Sequence, residues 1–400
     1  MDRTKPPLVG INFPWVSCGH DFGPHPPAWG GDRGPRDWSD VERELRELRD
    51  LGLEVVRWWI LGGGVNYPVG RNVTEVGELV ATGEGALHAI VDAGLGRPAR
   101  RLARDFIEGR RFREVRLHPE TPPPPLPAAF LEDFRGLLDA CRRADVRLVP
   151  SLLSFELFQP AVELNDGLVK RGRRALVFGN PGEPSQLEAF LDATLSPLLT
   201  ASDDHRDTLF AWEVVNEPEW AVITGPVQLD RPSYGWVPSL HTVEPAEMCA
   251  LIERGVQRIL DAGFVATVGF ADDAPSWLAP GLVETLRAHA AAGRYVHQRH
   301  HYPTVIADHS LPRHDGRLIT PCMLGEMPSA QASSASNIRW RDRELRTTER
   351  DPDRYLAARL DLAKSHGYPV ALIWSARSGD ERRTWDRAQK DQVRRYLRGS

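Results

Sequence analysis

Cysteine is scarce: Cys18, Cys141, Cys249 and Cys322 are the four in 400 residues. They lie far apart and form no CxxC pair, which excludes a zinc knuckle and a dense disulfide framework and marks them as reduced thiols. Long apolar runs are missing as well, so no membrane-crossing helix and no membrane partner are expected. The start, Met1 to Pro7, lacks the apolar stretch that export requires. A cytoplasmic protein is therefore expected, and a secreted one trimmed of its leader would begin the same way. An excess of positive charge is also absent. The net charge is −5, with basic residues spread among acidic ones, so no standing field gathers phosphate backbones and no nucleic acid partner is expected. Nothing in the chain reads as an internal repeat or as a linker.

What is there suits a folded globular chain: 41% of residues are hydrophobic and 26% charged. Short apolar runs alternate with amphipathic stretches along the whole length, as expected when parallel strands are each followed by a crossover helix. Strands are expected at 8–13, 53–61, 147–155, 209–216, 265–270, 295–302, 322–326 and 370–375. Helices are expected from Ser39 to Gly52, where Val41, Leu45, Leu48 and Leu51 share a face, and at 128–144, 184–199, 245–262, 280–292 and 352–366. The fold class is therefore α/β, a (β/α)8 TIM barrel forming one catalytic domain over 1–400, with a long insertion after strand 2 at about 62–127. That insertion carries a helical piece near Leu102 to Ile107 and the prolines Pro122 to Pro125, read as a stiff lead into the next helix rather than as a ligand for a signalling module. Because barrel sites are built from the loops after strands, the insertion is expected to shape the cleft.

Two strand ends carry matching acidic residues. The fourth closes with Trp212-Glu213-Val214-Val215-Asn216-Glu217-Pro218 and the seventh with Met323-Leu324-Gly325-Glu326-Met327-Pro328. A carboxylate at the end of a buried strand is costly to ionise unless donors surround it, so such a pair points to function. Two carboxyl groups facing each other are what cleavage of a glycosidic bond needs, one to attack and one to protonate the departing oxygen.

With these residues the chain resembles the retaining glycosidases of the cellulase-like barrel clan, clan A, and most closely glycoside hydrolase family 5. The resemblance implies a hydrolase with Glu217 as acid/base and Glu326 as nucleophile, roughly 5 Å apart. It implies that Asn216 holds the sugar's 2-hydroxyl and that Arg57 on the second strand keeps Glu326 ionised and lowers its pKa. In His300-His301-Tyr302, it has Tyr302 bond Glu326 and His300 face the sugar. Trp374, ending the eighth strand, is the implied platform under the sugar. The third strand ends Ser151 to Glu156 without the His that many family 5 members carry there. Glu217 is expected to start protonated, in a site that raises its pKa.

Twelve Trp give further candidates for carbohydrate contact, since indole faces stack on the C–H faces of sugars. Trp15, Trp58, Trp59, Trp220, Trp236 and Trp277 lie close to strand ends or in the following loops, with Trp220 and Trp236 foremost and core burial the competing reading for each. Glu219, Asp272 and Asp273 could bind hydroxyls or simply be solvated. No cofactor and no metal are expected. Of the substrates, β-mannosides and β-glucosides are favoured, with exo action or action on oligosaccharides preferred over attack on a polymer. Two alternatives stand beside this reading: a metal-dependent barrel hydrolase, suggested by His297, His300, His301, His309 and His314, and a barrel that binds carbohydrate without catalysis.

Overall fold

The structure is a computed structural model. It describes residues 7–14, 36–64, 73–80, 111–117, 122–159, 169–180, 182–223, 242–271, 275–302, 319–330, 351–377 and 385–399, with a few shorter pieces between them. Eight parallel strands close into a barrel: β1 (Leu8–Asn12), β2 (Val55–Trp59), β3 (Arg147–Ser154), β4 (Trp212–Asn216), β5 (Ala266–Phe270), β6 (His297–His300), β7 (Cys322–Pro328) and β8 (Val370–Trp374). Each strand pairs with the next in the chain, and β8 returns to β1 with Leu8 opposite Val370. This is the (β/α)8 barrel, and all eight expected strands fall within a few residues of their places.

The helices are α1 (Ser39–Asp50), α2 (Ala128–Arg143), α3 (Arg174–Phe178), α4 (Leu187–Ala201), α5 (Pro245–Asp261), α6 (Pro280–Ala291), α7 (Tyr355–His366) and α8 (Arg387–Gly399). Val41, Leu45 and Leu48 form the buried stripe of α1, at the spacing that turns one helical face to the sheet. Helix α5 begins with Pro245 after a reciprocal cap in which Glu244 and Glu247 bond each other's backbone ends, satisfying donors that a helix start leaves open. Helix α8 has no counterpart in the sequence reading. Its buried residues are Gln389, Gln392, Val393 and Tyr396, too few and too polar to stand out as an apolar stripe.

Beyond the barrel, Val73–Val80 and Arg111–Leu117 pair antiparallel, and the short strands Val162–Glu163 and Val169–Lys170 extend them into a four-stranded sheet. Two of these strands belong to the insertion after β2 and two to the segment after β3. The helix expected near 102–107 lies outside the described residues. Pro124 is docked through its carbonyl on the Tyr67 hydroxyl at 2.5 Å, and Pro127 leads into α2, as a stiff entry to a helix requires. No helix among the described residues is long and apolar enough to cross a membrane. Cys141, Cys249 and Cys322 are free thiols, and Cys18 lies outside the described residues.

Inside the barrel the strands lay down two different fillings. Toward their starts, Val55, Val149, Met323, Val370 and Leu372 form a small apolar cluster separate from the large core between strands and helices. Toward their ends the inward positions turn polar, with Asn12, Arg57, Ser151, Glu213, Gln298, His300 and Glu326 all buried.

Candidate active site

Arg57 is the hub of the polar layer. A guanidinium has five N–H donors, and all of them are used. Nε and Nη2 donate to Glu213 at 2.6 and 2.7 Å, Nη1 donates to Asn12 at 3.0 Å and to Glu326 at 2.7 Å, and Nη2 also donates to Asn216 at 2.6 Å. Burial alone would make the cation easier to lose, but the facing carboxylates of Glu213 and Glu326 outweigh it and raise its pKa. Arg57 is thus a permanent cation in a dry place.

Glu326 receives Arg57 on one oxygen and the Tyr302 hydroxyl on the other, the latter at 2.7 Å. Its pKa nevertheless lies above the ordinary glutamate value. Burial is the largest cause and the nearby Glu217 adds to it, while His300, Arg57 and the Tyr302 hydroxyl pull the other way. The sequence reading expected Arg57 to lower this pKa. Arg57 does act in that direction, but its charge is shared with Glu213, and desolvation prevails.

Glu217 follows the last residue of β4 with φ 47° and ψ 54°, a left-handed conformation. That is uncommon for a residue with a side chain, and such strain gathers at functional sites. Its amide N–H donates to the Gly269 carbonyl of β5 at 2.6 Å, which anchors the turn. The pairing register slips beside both carboxylates: between Glu213 and Asn216 on β4, and around Glu326 against both neighbours of β7. Irregularities of this kind re-aim side chains.

His300 joins the two. Its Nδ1 lies 2.8 Å from Glu217 Oε1 and 3.5 Å from Glu326 Oε1. Burial is the main reason its pKa falls to about 4, so the ring is neutral near pH 7. Gln298 Nε2 lies 2.7 Å from Glu213 Oε2 and 3.2 Å from His300 Nε2. Facing a carboxylate, this atom must be the amide N–H2, so it donates to both neighbours. His300 Nε2 is then the acceptor, and the ring proton sits on Nδ1, donated to Glu217. The ring addresses a carboxylate here, where the sequence reading had it face the sugar.

One ligand atom each from Glu217, His300 and Glu326 lie within 4.8 Å of one another, the single grouping of metal-compatible spacing among the described residues. We read no metal there, because the Arg57 cation stands 2.7 Å from Glu326 and His300 Nδ1 carries a proton. The histidine-rich stretch does not converge: His297 begins β6 while His300 ends it, His301 pairs with buried Arg359, and His309 and His314 lie outside the described residues.

Of the proposed contacts, Glu217, Glu326, Arg57, Asn216, His300 and Tyr302 meet in one place. Trp374 ends β8 beside them, its ring edge-on to Trp59 at 5.2 Å, and Arg57 stacks over Trp59 at 4.3 Å. Trp59 is therefore part of the barrel's filling. Trp58, its neighbour on the strand, points the other way. It is fully buried between Phe13 and Trp38, with Nε1 donating to Asp21 at 2.9 Å, and is not a sugar contact. Trp220 and Trp277 are half-buried against the core, Trp220 beside Phe155 at 6.3 Å. Trp15, Trp236, Asp272 and Asp273 lie outside the described residues. Sequence reasoning missed Asn12, Ser151, Glu213 and Gln298 as members of the network.

The fold has known counterparts. The chain is similar to the β-mannanase from blue mussel Mytilus edulis, at 17% identity over 99% of this chain and 92% of that one, with a TM-score of 0.59. It is similar to the β-1,4-D-mannanase from Cryptopygus antarcticus, at 18% identity over 99% and 91% of the two chains with a TM-score of 0.58. The endo-1,4-β-mannanase from Eisenia fetida gives 16% identity over 99% and 92%, with a TM-score of 0.59. At these identities the likeness is one of fold. No protein-family model matches the chain, and no curated protein matches it in sequence.

Proposed function

We propose that this chain is a retaining β-glycosidase that hydrolyses β-linked oligo- or polysaccharides by double displacement, with β-mannosides favoured and β-glucosides second. The observation that carries this reading is the meeting of Glu217 and Glu326, from the ends of β4 and β7, with carboxylate oxygens within 4.8 Å of each other. Carboxyl groups about 5 Å apart suit a covalent glycosyl-enzyme, whereas inversion needs roughly 6.5–9.5 Å to fit a water between acid and base.

In this mechanism Glu326 attacks the anomeric carbon, its approach fixed by Arg57 and Tyr302, and the bond to the leaving oxygen breaks as Glu217 protonates it. Glu217 is the more open of the two, its side chain 13% exposed against 6% for Glu326. That suits a group that meets the leaving oxygen and then, as a base, activates the water that releases the sugar. His300 steadies one Glu217 oxygen through its Nδ1–H. Asn216 accepts from Arg57 on its carbonyl, and among the described residues its Nδ2 makes a long 3.4 Å contact to Ser154, which leaves an N–H for the 2-hydroxyl. Trp374 would lie under the ring. The preference for mannosides draws on the similar solved structures, which are β-mannanases by name.

The test is hydrolysis of aryl β-mannoside, β-glucoside and β-xyloside and of short β-1,4-mannooligosaccharides, with Glu217→Gln and Glu326→Gln as controls. The reading predicts release of sugar, undiminished by a chelator, lost on every substrate in Glu326→Gln and lost on the oligosaccharides in Glu217→Gln. Oligosaccharide binding without cleavage would replace it with a carbohydrate-binding barrel. Turnover unchanged in either variant would overturn the assignment of that residue.

A further inference from the structure

The proposed chemistry leaves a carboxylate of the polar layer without a role. Glu213 is fully buried on β4, and its carboxylate faces the barrel interior, where it meets Arg57. Four donors reach it: Arg57 Nε and Gln298 Nε2 on Oε2 at 2.6 and 2.7 Å, and Arg57 Nη2 and Ser151 Oγ on Oε1, both at 2.7 Å. These come from β2, β3 and β6, so the carboxylate ties the barrel interior together directly beneath the pair.

The space around Gln298 is shaped for it. A Cβ on Gly269 of β5 would come within 2.5 Å of its Nε2, and a Cβ on Gly325 of β7 within 2.5 Å of its Cδ and Cγ. Glycine on both flanking strands leaves room for this amide. Gly325 immediately precedes Glu326, so the spacing that seats Gln298 belongs to the same strand end that presents the nucleophile.

We propose that Glu213 is a positioning residue with two arms: through Arg57 it fixes and offsets the cation that holds Glu326, and through Gln298 it holds His300 in the tautomer that donates to Glu217. The proposal rests on the glycosidase reading for the consequences of each arm, but the arms themselves are physical. A guanidinium gripped on one edge by Glu213 can present only its other edge to Asn12 and Glu326, which sets the direction from which Glu326 is held. Arg57 is thus already paired with Glu213 where it meets Glu326. The groups facing Glu326 are Arg57 from β2, Glu217 from the end of β4, and His300 and Tyr302 from β6 and the residues after it. Near Glu213 there is, besides its donors, the buried Tyr295, and Arg299 acts on His300.

Two experiments test this. The first is the pH dependence of kcat/KM on whichever aryl β-glycoside the wild type cleaves, for wild type, Glu213→Gln and Glu213→Asp. Glu213→Gln leaves the Arg57 charge unpaired, which favours ionised Glu326. The acid limb should move to lower pH by about one unit, while kcat falls about 100-fold through misplacement of the pair. Glu213→Asp keeps the charge but shortens the reach, so its acid limb should stay at the wild-type pH with kcat reduced. A mere packing role would lower activity in Glu213→Gln without moving the limb, and that result overturns the first arm. If Glu213→Gln does not fold, full activity in Glu213→Asp overturns it instead.

The second experiment needs no activity. Ring ¹⁵N shifts of histidine-labelled wild type, with His300 assigned from His300→Asn, should show a protonated Nδ1 and a bare Nε2 at pH 7. The Nε2–H tautomer or a doubly protonated ring overturns the second arm. A wild type inert on every glycoside would instead bring down the glycosidase reading and leave the tautomer result standing.

Discussion

The two fillings of the barrel differ although the same strands supply both. On β2, Val55 belongs to the apolar plug and Arg57, one inward step further along, to the charged layer; on β3 the same step leads from Val149 to Ser151, and on β8 from Leu372 to Trp374. The plug is held by shape, so a smaller side chain there costs transfer energy plus the cavity left behind. The charged layer is held by ion pairs and hydrogen bonds converging on Arg57 and Glu213. Loss of one partner there leaves a bare charge. Stability is therefore expected to depend on both layers, and chemistry on the upper one alone.

The comparison can be broken at its strongest point first. Glu326→Gln should lower kcat/KM by about 10⁴-fold or more, since no covalent intermediate can form, while thermal unfolding by calorimetry stays close to wild type because Arg57 keeps Glu213 as its counter-charge; a small loss of rate would remove the chemistry from the upper layer. Glu217→Gln should cost about 10²- to 10⁴-fold on an oligosaccharide. It should cost much less on an aryl glycoside whose leaving group needs no proton, and equal losses on both substrates would contradict an acid role. Arg57→Met should destabilise the fold by about 3–5 kcal/mol, read by denaturant unfolding, because it strips Glu213 and Glu326 of their shared cation. Leu372→Ala in the plug should cost about 2–5 kcal/mol yet leave kcat/KM within roughly twofold of wild type. A large catalytic loss there would merge the two layers.

The smallest effect concerns pH. Glu326 attacks only when ionised, and burial has raised its pKa above the ordinary 4.5. More of it is protonated at any given acidic pH, so activity should fall on the acid side at a higher pH than an ordinary glutamate would give. His300, with its pKa pushed down to about 4, stays neutral throughout this range and should add no limb of its own near pH 6.5. A pH profile of kcat/KM checks both points.

How legible this was in the sequence depended on whether a signal was local. The eight strands were, because apolar runs bounded by turns mark buried parallel strands wherever they pair. Glu217 was legible from Asn216-Glu217-Pro218 after such a run. Trp58 and Trp59 were not, since adjacent residues on a strand face opposite sides and composition cannot say which is inward; the barrel put one among helices and the other under Arg57. Glu213 was readable in hindsight: a charge inside an apolar run that forms a buried strand demands a buried cation. Gln298 gave no such sign, as its place depends on glycines in two other strands. The pairing of Val73–Val80 with Arg111–Leu117 closes across the thirty residues between the two strands, a distance over which no local pattern sets register.

The most direct measurement of the central claim is the stereochemistry of the first product. Proton NMR of the anomeric signal during the opening turnovers on a cleaved β-glycoside should show the β-anomer forming first and the α-anomer growing in only by mutarotation. An α-anomer as the initial product would mean single displacement by water, and would contradict a Glu217 and Glu326 pair close enough for Glu326 to hold the sugar covalently.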